Sequence, residues 1–329
     1  MRVLLRVDAG ESHGLGHVTR CLPLAHALVS LGGLGRDGVL FLTTTPRLAS
    51  MVAPFRSVLL GEQTSFCFQE DDVLCVDTKA DDWANDDKAL FLLRRRGTGV
   101  VRLDHPLAAP SSCDLLILPN AHQSSKEKTR LARGFGDRLR LGWPYVMLAP
   151  DVGGYVPYAQ RANGPVVFCA GGSDPLDVLP WFFATTHALW PDREKVYLVG
   201  EAALHPLRYG RDKYLAWNVE PFTKSRLKTA ALVVTLFGQT VYECLYWRTP
   251  VLTLAHTPEN ASAAAELAFQ TFVINGGLFP VEDTGRLLQI VSHQLANPTL
   301  RHALASNPNG LDGLGVDRVA RDIADLFFA

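Results

Sequence analysis

Short apolar or β-branched runs recur along the chain at 2–8 (RVLLRVD), 39–44 (VLFLTT), 73–77 (VLCVD), 100–104 (VVRLD) and 114–118 (DLLIL), each bounded by turn-forming or polar residues. Near-continuous apolar runs of this length predict strands buried on both faces, as in a parallel sheet. Between them the period lengthens. Val18, Cys21, Leu22, Ala25, Leu28 and Val29 follow the 3.6-residue spacing of a helix, and residues 82–96 predict a second one. The alternation restarts after a Gly/Pro-rich stretch, PDVGGYVPYAQRANGP (150–165), with runs at 166–170, 196–200, 232–236 and 250–255. Strands alternating with helices imply βαβ units and parallel sheets covered on both faces. The expected architecture is therefore α/β, with an N-terminal Rossmann-like domain over 1–155, a C-terminal one over 156–329, and a cleft between them.

Composition supports two ordinary cores. The chain has 329 residues, of which 47% are hydrophobic and 20% charged, enough for two domains of roughly 150 residues. Its 32 basic and 33 acidic residues leave a formal charge of -1, so no global electrostatic footprint argues for nucleic acid or an anionic membrane. The basic runs Arg94-Arg95-Arg96 and Lys126-Glu127-Lys128 are short and read as solvated faces. Six scattered cysteines form neither a CxxC pair nor a zinc spacing, and read as reduced core thiols. The opening MRVLLRVDAG is interrupted by Arg6 and Asp8 and is too short for a signal segment or membrane span, so a cytoplasmic location is expected.

Three glycine-bearing turns carry the chemistry. In His13-Gly14-Leu15-Gly16-His17, two glycines follow the first strand and set His17 at the start of a helix. Open α/β sheets bind ligands at the carboxyl ends of their strands, which puts this turn where a site belongs. The stretch lacks both the third glycine of a dinucleotide fingerprint and the GK[ST] ending of a P-loop. At a helix N-terminus the dipole favours a neutral imidazole able to accept a proton; the alternative is a solvent-facing polar residue of the first turn. Pro23, seven positions into the helix, predicts a kink or an irregular first turn. In the second turn, Gly171-Gly172-Ser173-Asp174-Pro175, Ser173 or Asp174 suits an N-cap. The paired glycines would let backbone N–H groups and the helix N-terminus approach a phosphate. In the third, FGQTVYECLYWRTP (237–250), Thr240 to Glu243 matches a capping box, and Glu243 could alternatively accept ribose hydroxyls. Thr257-Pro258 reads as an N-cap followed by proline at N1, leaving Glu259 and Asn260 for a ligand.

The segment from Arg6 to Ala25, R-x-D-A-x-x-x-x-G-L-G-H-V-x-R-C-L-x-L-A, resembles the start of the PseG family of UDP-sugar hydrolases, a GT-B group related to the MurG glycosyltransferase. CVDTKADDW (75–83), CDLLILPN (113–120), LGWPYVML (141–148), AGGSDP (170–175), FGQTVYECLYWRTPVLTL (237–254) and DGLGVDRVARDI (312–323) follow in the order of that family. The resemblance implies a GT-B-like fold and a nucleotide-sugar substrate, with His17 activating a water that attacks the anomeric carbon. UDP and a free deoxyamino sugar would be released, as in pseudaminic-acid-type nonulosonate synthesis. Substrate contacts would come from His13, Gly14, Gly16, Arg20, Gly171, Gly172, Ser173, Gln239, Thr240, Glu243, Glu259 and Asn260. No cofactor and no metal is implied. The chain departs from the family at Leu148-Ala149-Pro150-Asp151-Val152, which lacks an arginine, at Ala261 in place of a glutamine, at His13 in place of an apolar residue, and at Phe237-Gly238-Gln239 in place of a glycine-serine pair. These departures leave the particular sugar open. Two other readings stay beside the hydrolase: a GT-B glycosyltransferase in which an acceptor hydroxyl replaces water, and a nucleotide-sugar-binding or assembly protein without turnover.

Overall fold

The computed structural model describes residues 1–10, 14–31, 33–61, 66–149, 154, 156–172, 174, 176–200, 219–271, 273–306 and 310–328. The chain divides into two compact units, one formed by Met1–Pro150 with Asp312–Ala329, the other by Asp151–Leu311.

The first unit contains a sheet of β1 (Val3–Val7), β2 (Val39–Thr43), β3 (Arg56–Leu59), β4 (Val73–Asp77), β5 (Gly99–Leu103), β6 (Leu115–Leu118) and β7 (Leu139–Leu141). Its order is β3-β2-β1-β4-β5-β6-β7, and every neighbouring pair is parallel. Side chains of successive residues leave a strand on opposite faces, so the strands feed two cores. Val3, Leu5 and Val7 join one with Val18, Cys21 and Leu24 of the helix Gly16–Ser30. Leu4 joins the other with Leu90 of the helix Asp87–Arg95 and Leu131 of the helix Ser125–Phe135. Arg6 is also fully buried, held by Asp8 and Asp82 at 2.6 Å each. Asp8 in turn accepts from the Thr44 N–H at 2.8 Å and the Thr78 hydroxyl at 2.7 Å, which ties together the ends of β1, β2 and β4.

The second unit repeats the plan with β8 (Val166–Cys169), β9 (Lys195–Val199), β10 (Val219–Pro221), β11 (Leu232–Leu236), β12 (Val251–Ala255) and β13 (Ile274–Leu278), in the order β10-β9-β8-β11-β12-β13 and again parallel throughout. Counted from its own first strand this is the doubly wound order 3-2-1-4-5-6 of a dinucleotide-binding sheet.

One expectation is corrected. A single C-terminal domain over 156–329 does not hold, because the last helix, Gly315–Phe327, belongs to the first unit. Val316, Val319, Ala320 and Ile323 supply it with an apolar stripe that packs against the helix Gly16–Ser30. Gly315 lets the start of this helix close on the Tyr145–Val146 backbone, since a Cβ there would lie 2.1 Å from the Val146 carbonyl oxygen. Across Pro23 the first helix runs uninterrupted over fifteen residues. The proline removes one i→i−4 donor, and burial of Val18, Cys21, Leu24, Ala25 and Leu28 outweighs that loss.

Candidate functional site

Both sheets reverse their order of winding at one place, between β1 and β4 in the first unit and between β8 and β11 in the second. Crevices at the carboxyl ends of such strands are where open α/β sheets take ligands. Of the sequence-derived residues, Gly14, Gly16, His17 and Arg20 follow β1, Gly171 and Gly172 follow β8, and Gln239, Thr240 and Glu243 follow β11.

In the first unit Gly14 is tied back to Gly10 by a pair of backbone hydrogen bonds, Gly10 N–H to Gly14 O at 3.0 Å and Gly14 N–H to Gly10 O at 2.7 Å. Gly14 has φ +69°, a region glycine occupies without strain. This small loop starts the helix at Gly16 and sets His17 in its first turn, 8% exposed. His17, Arg20 and Cys21 lie at i, i+3 and i+4, so all three meet the end of β4 from one helix face. His17 Nδ1 is 2.7 Å from Asp77 Oδ1; Arg20 donates from Nε to Asp77 Oδ2 at 2.7 Å and from Nη2 to Oδ1 at 2.5 Å; the Cys21 thiol donates to Oδ2 at 3.1 Å. Arg20 Nη2 also donates to Asp104 Oδ2 at 3.0 Å, and Asn120 Nδ2 donates to Asp104 Oδ1 at 2.7 Å. Asp104 itself follows β5 with φ +57°, a left-handed backbone that non-glycine residues adopt sparingly and that clusters at functional sites.

The electrostatics assign the proton on His17. Burial opposes charge on Asp77, but Arg20 and His17 override it and hold the carboxyl well below the usual carboxylate range. Burial likewise opposes charge on Arg20, and Asp77 with Asp104 keeps the guanidinium protonated. Burial raises Asp104 in the same way, and Arg20 more than offsets it. An ionised Asp77 only accepts, so the Nδ1 facing it carries a hydrogen. Arg20 Nη2 lies 3.1 Å from Nδ1, yet its two protons already have the Asp77 and Asp104 oxygens as acceptors. A histidine held in one tautomer by a buried carboxylate is the arrangement of a general base. Burial, with the negative charge of Asp77, moves the Cys75 thiol up to about 12, so it stays protonated.

In the second unit the Gly171-Gly172 turn follows β8, with Gly171 at φ +79°. A Cβ on Gly200, at the end of β9, would lie 2.3 Å from the Gly171 carbonyl oxygen and 2.4 Å from that of Gly172, so the turn rests on a position only glycine can fill. The expected helix N-terminus is not at this turn. The helix starts at Val178, and its first amides are taken by Asp174, which accepts from Val178 N–H at 2.7 Å and Leu179 N–H at 3.0 Å. Burial raises Asp174 above the usual carboxylate range, and these two amides oppose the rise.

The capping box at Thr240 is also corrected. The helix Gln239–Tyr246 begins one residue after Gly238, so Thr240 lies inside it rather than at its N-cap, which is Gly238. Thr240 and Glu243 are both buried, and Glu243 Oε1 sits 3.7 Å from Lys224 Nζ. Thr257 does cap the next helix, accepting the Asn260 N–H at 3.2 Å, with Pro258 at N1. Asn260 Nδ2 stands 3.1 Å from His256 Nε2, while Glu259 is exposed. His13 and Ser173 lie outside the described residues.

The sequence reading missed Asp77 and Asp104 as site residues, together with Asn120, Gly200 and Lys224. A signal for the first two was present: RVLLRVD, VLCVD and VVRLD each close an apolar strand with aspartate, and β1, β4 and β5 are neighbours.

No family model and no curated protein sequence matches the chain. Solved structures do. MurG from Acinetobacter baumannii has a TM-score of 0.60 at 14% identity, covering 100% of this chain and 99% of its own. A UDP-N-acetylglucosamine 2-epimerase gives 0.61 at 13% identity, covering 100% and 96%. Alr3699/HepE from Anabaena, solved in complex with UDP, gives 0.55 at 13% identity, covering 99% and 100%. The chain has a GT-B-like fold, two parallel sheets of seven and six strands with their helices.

Proposed function

We propose that the protein is a nucleotide-sugar hydrolase of the PseG type, which releases UDP and a free deoxyamino sugar. The observation that carries this reading is the His17-Asp77 pair, clamped by Arg20 at the strand-order reversal of the first sheet. His17 Nε2 removes a proton from water as the water oxygen bonds to the anomeric carbon; the bond from that carbon to the diphosphate breaks, and the nucleoside diphosphate departs with its electron pair. The imidazolium that results faces the Asp77 carboxylate. General base catalysis contributes about 10²–10⁴-fold, so leaving-group stabilisation and positioning must supply the remainder. In the second unit, the start of the helix Gln239–Tyr246 and the Gly171-Gly172 turn suit the diphosphate, for backbone N–H groups at a helix N-terminus favour anions. Glu243 takes the ribose. Gly16, where an added Cβ would meet nothing within 4 Å, leaves open space for the sugar.

A glycosyltransferase is the second reading, supported by neighbours such as MurG and the calicheamicin glycosyltransferase CalG4. The same base would then deprotonate an acceptor hydroxyl. Incubation with a panel of UDP-, CMP-, GDP- and dTDP-sugars separates the two. Nucleotide release without an acceptor is the result expected of a hydrolase. Release only on addition of an acceptor transfers the assignment to glycosyl transfer, and absence of both binding and release overturns the two enzymatic readings together.

A further inference from the structure

Val101 and Leu103 of β5 join the core that includes Val18 and Cys21 of the helix Gly16–Ser30. The alternation of a regular strand would send the next residue, Asp104, to the opposite face. Its left-handed backbone, φ +57°, ends that alternation, and the carboxylate meets Arg20 of the same helix. Three contacts fix it there. The Asp104 N–H donates to the Ile117 carbonyl at 2.9 Å, Asn120 Nδ2 donates to Oδ1 at 2.7 Å, and the buried Gln123 donates in turn to Asn120 Oδ1. A left-handed non-glycine residue persists where its surroundings over-determine it, and such places cluster at functional sites.

Holding Arg20 does not by itself require a second carboxylate. Asp77 already accepts from Arg20 Nε at 2.7 Å and from Nη2 at 2.5 Å. A count of charge gives the reason for Asp104. Asp77 and Arg20 alone cancel, and Arg20 Nη2 lies 3.1 Å from His17 Nδ1. An imidazolium formed beside that cancelled pair would leave a net positive charge in a buried cluster, which burial penalises. Asp104, bound to the same Nη2 at 3.0 Å, gives the cluster a single negative charge, so a proton gained by His17 brings it to neutrality. Burial opposes charge on Asp104, Arg20 favours it, Asp77 opposes it, and Lys79 and His17 favour it. Such interactions are mutual, so an ionised Asp104 favours a positive ring on His17. Other titratable groups at this place change the count little. Burial keeps the Cys21 and Cys75 thiols protonated and uncharged, and Lys79 is exposed to solvent, which screens it.

We propose that Asp104 is a positioning residue for the His17 base: through Arg20 it supplies the second negative charge that lets a buried ring accept a proton. The inference rests on the reading of His17 as a general base.

Asp104→Asn tests it, because asparagine keeps the size, tolerates the left-handed backbone and removes the charge. Two quantities are measured: the pH dependence of kcat/KM on the nucleotide sugar hydrolysed in the panel, and the titration of the His17 ring by NMR in substrate-free protein, its signal identified by absence from His17→Ala. Loss of a negative charge disfavours the imidazolium, so the acid limb and the ring titration should both move to lower pH, by about one pH unit or more. Asp104→Glu keeps the charge and should return both towards wild type. Thermal unfolding verifies that the variants fold. A limb and titration that stay in place while stability alone falls overturn the proposal, leaving Asp104 as a tie between β5 and the loop after β6. Displacement by Asp104→Glu as large as that by Asp104→Asn overturns it too, since charge would not be the cause. A ring titration that moves as expected in a protein that hydrolyses no nucleotide sugar upholds the role of Asp104 and removes only the hydrolytic reading.

Discussion

At the scale of single residues, the site depends on which atom of His17 carries its proton. Asp77→Asn keeps the shape of the pair but offers Nδ1 either a donor or an acceptor, so the tautomer is no longer fixed. The expected result is a fall in kcat on the order of 10²–10⁴ with KM little changed, read from steady-state kinetics. His17→Ala should retain the fold and nucleotide binding while losing turnover; unchanged turnover would remove His17 from the mechanism. Asp8, at the end of the neighbouring strand β1, behaves differently. Burial opposes its charge, but Arg6, Thr78 and the Thr44 amide hold its carboxyl well below the usual range. A depressed carboxyl stabilises the fold above the unfolded value of about 3.9, and that stabilisation is lost as pH falls through the folded value. Wild-type stability should therefore be level above about pH 5 and decline in acid, whereas Asp8→Asn should flatten the acid limb and cost about 1–3 kcal/mol at neutral pH by leaving buried Arg6 with Asp82 as its remaining carboxylate. Denaturant titrations across pH measure both. His17 was legible from its turn. Asp77 was not singled out, because an acid closing a strand is also what a turn would use.

Among the elements, the strands that pattern reading found and those it missed divide by position. The five runs at 2–8, 39–44, 73–77, 100–104 and 114–118, and the four of the second unit, match interior strands covered on both faces. β3, β7, β10 and β13 escaped, and these are the four sheet edges. An edge strand is covered less, so it tolerates Arg56, Arg140, Glu220 or the Gly276-Gly277 pair and loses its continuous apolar run. Capping failed for a related reason: Thr240-x-x-Glu243 satisfies a local rule, but burial at the end of β11 draws both side chains inward. Glycines of the two turns should likewise separate by surroundings. Gly200→Ala drives a methyl into two carbonyl oxygens and should lower stability by about 1–3 kcal/mol, seen in thermal unfolding. Gly16→Ala meets no atom within 4 Å and sits at the start of a helix, so stability should hold or rise. If its backbone borders the sugar, the added methyl should raise KM instead.

On the scale of the whole molecule, the chain's route is the feature hardest to read from local pattern. The last helix, Gly315–Phe327, is separated from the rest of its unit by the entire second unit, yet it completes a core begun by β1. Its amphipathic stripe was visible in DGLGVDRVARDI, but a stripe specifies that a face is buried and not what buries it. Burying Val316, Val319 and Ile323 contributes roughly 5–9 kcal/mol at the usual value per side chain. Single domains retain only about 5–15 kcal/mol in all. Removing residues 312–329 should thus take most of the first unit's stability while also exposing Val18, Cys21 and Leu24 on the first helix. The second unit, whose core of Val166, Phe168, Leu232 and Leu252 includes nothing from that helix, should keep its protection. Hydrogen exchange on a chain ending at Leu311 distinguishes the outcomes: amides of β1, β4 and β5 should exchange rapidly, and those of β8, β11 and β12 slowly. Equal protection of both sheets would mean that the helix is an accessory to the first unit rather than part of its core. Because His17 stands on the helix that would be uncovered, the truncated chain should also lose turnover, and addition of the 312–329 peptide in excess should restore part of it.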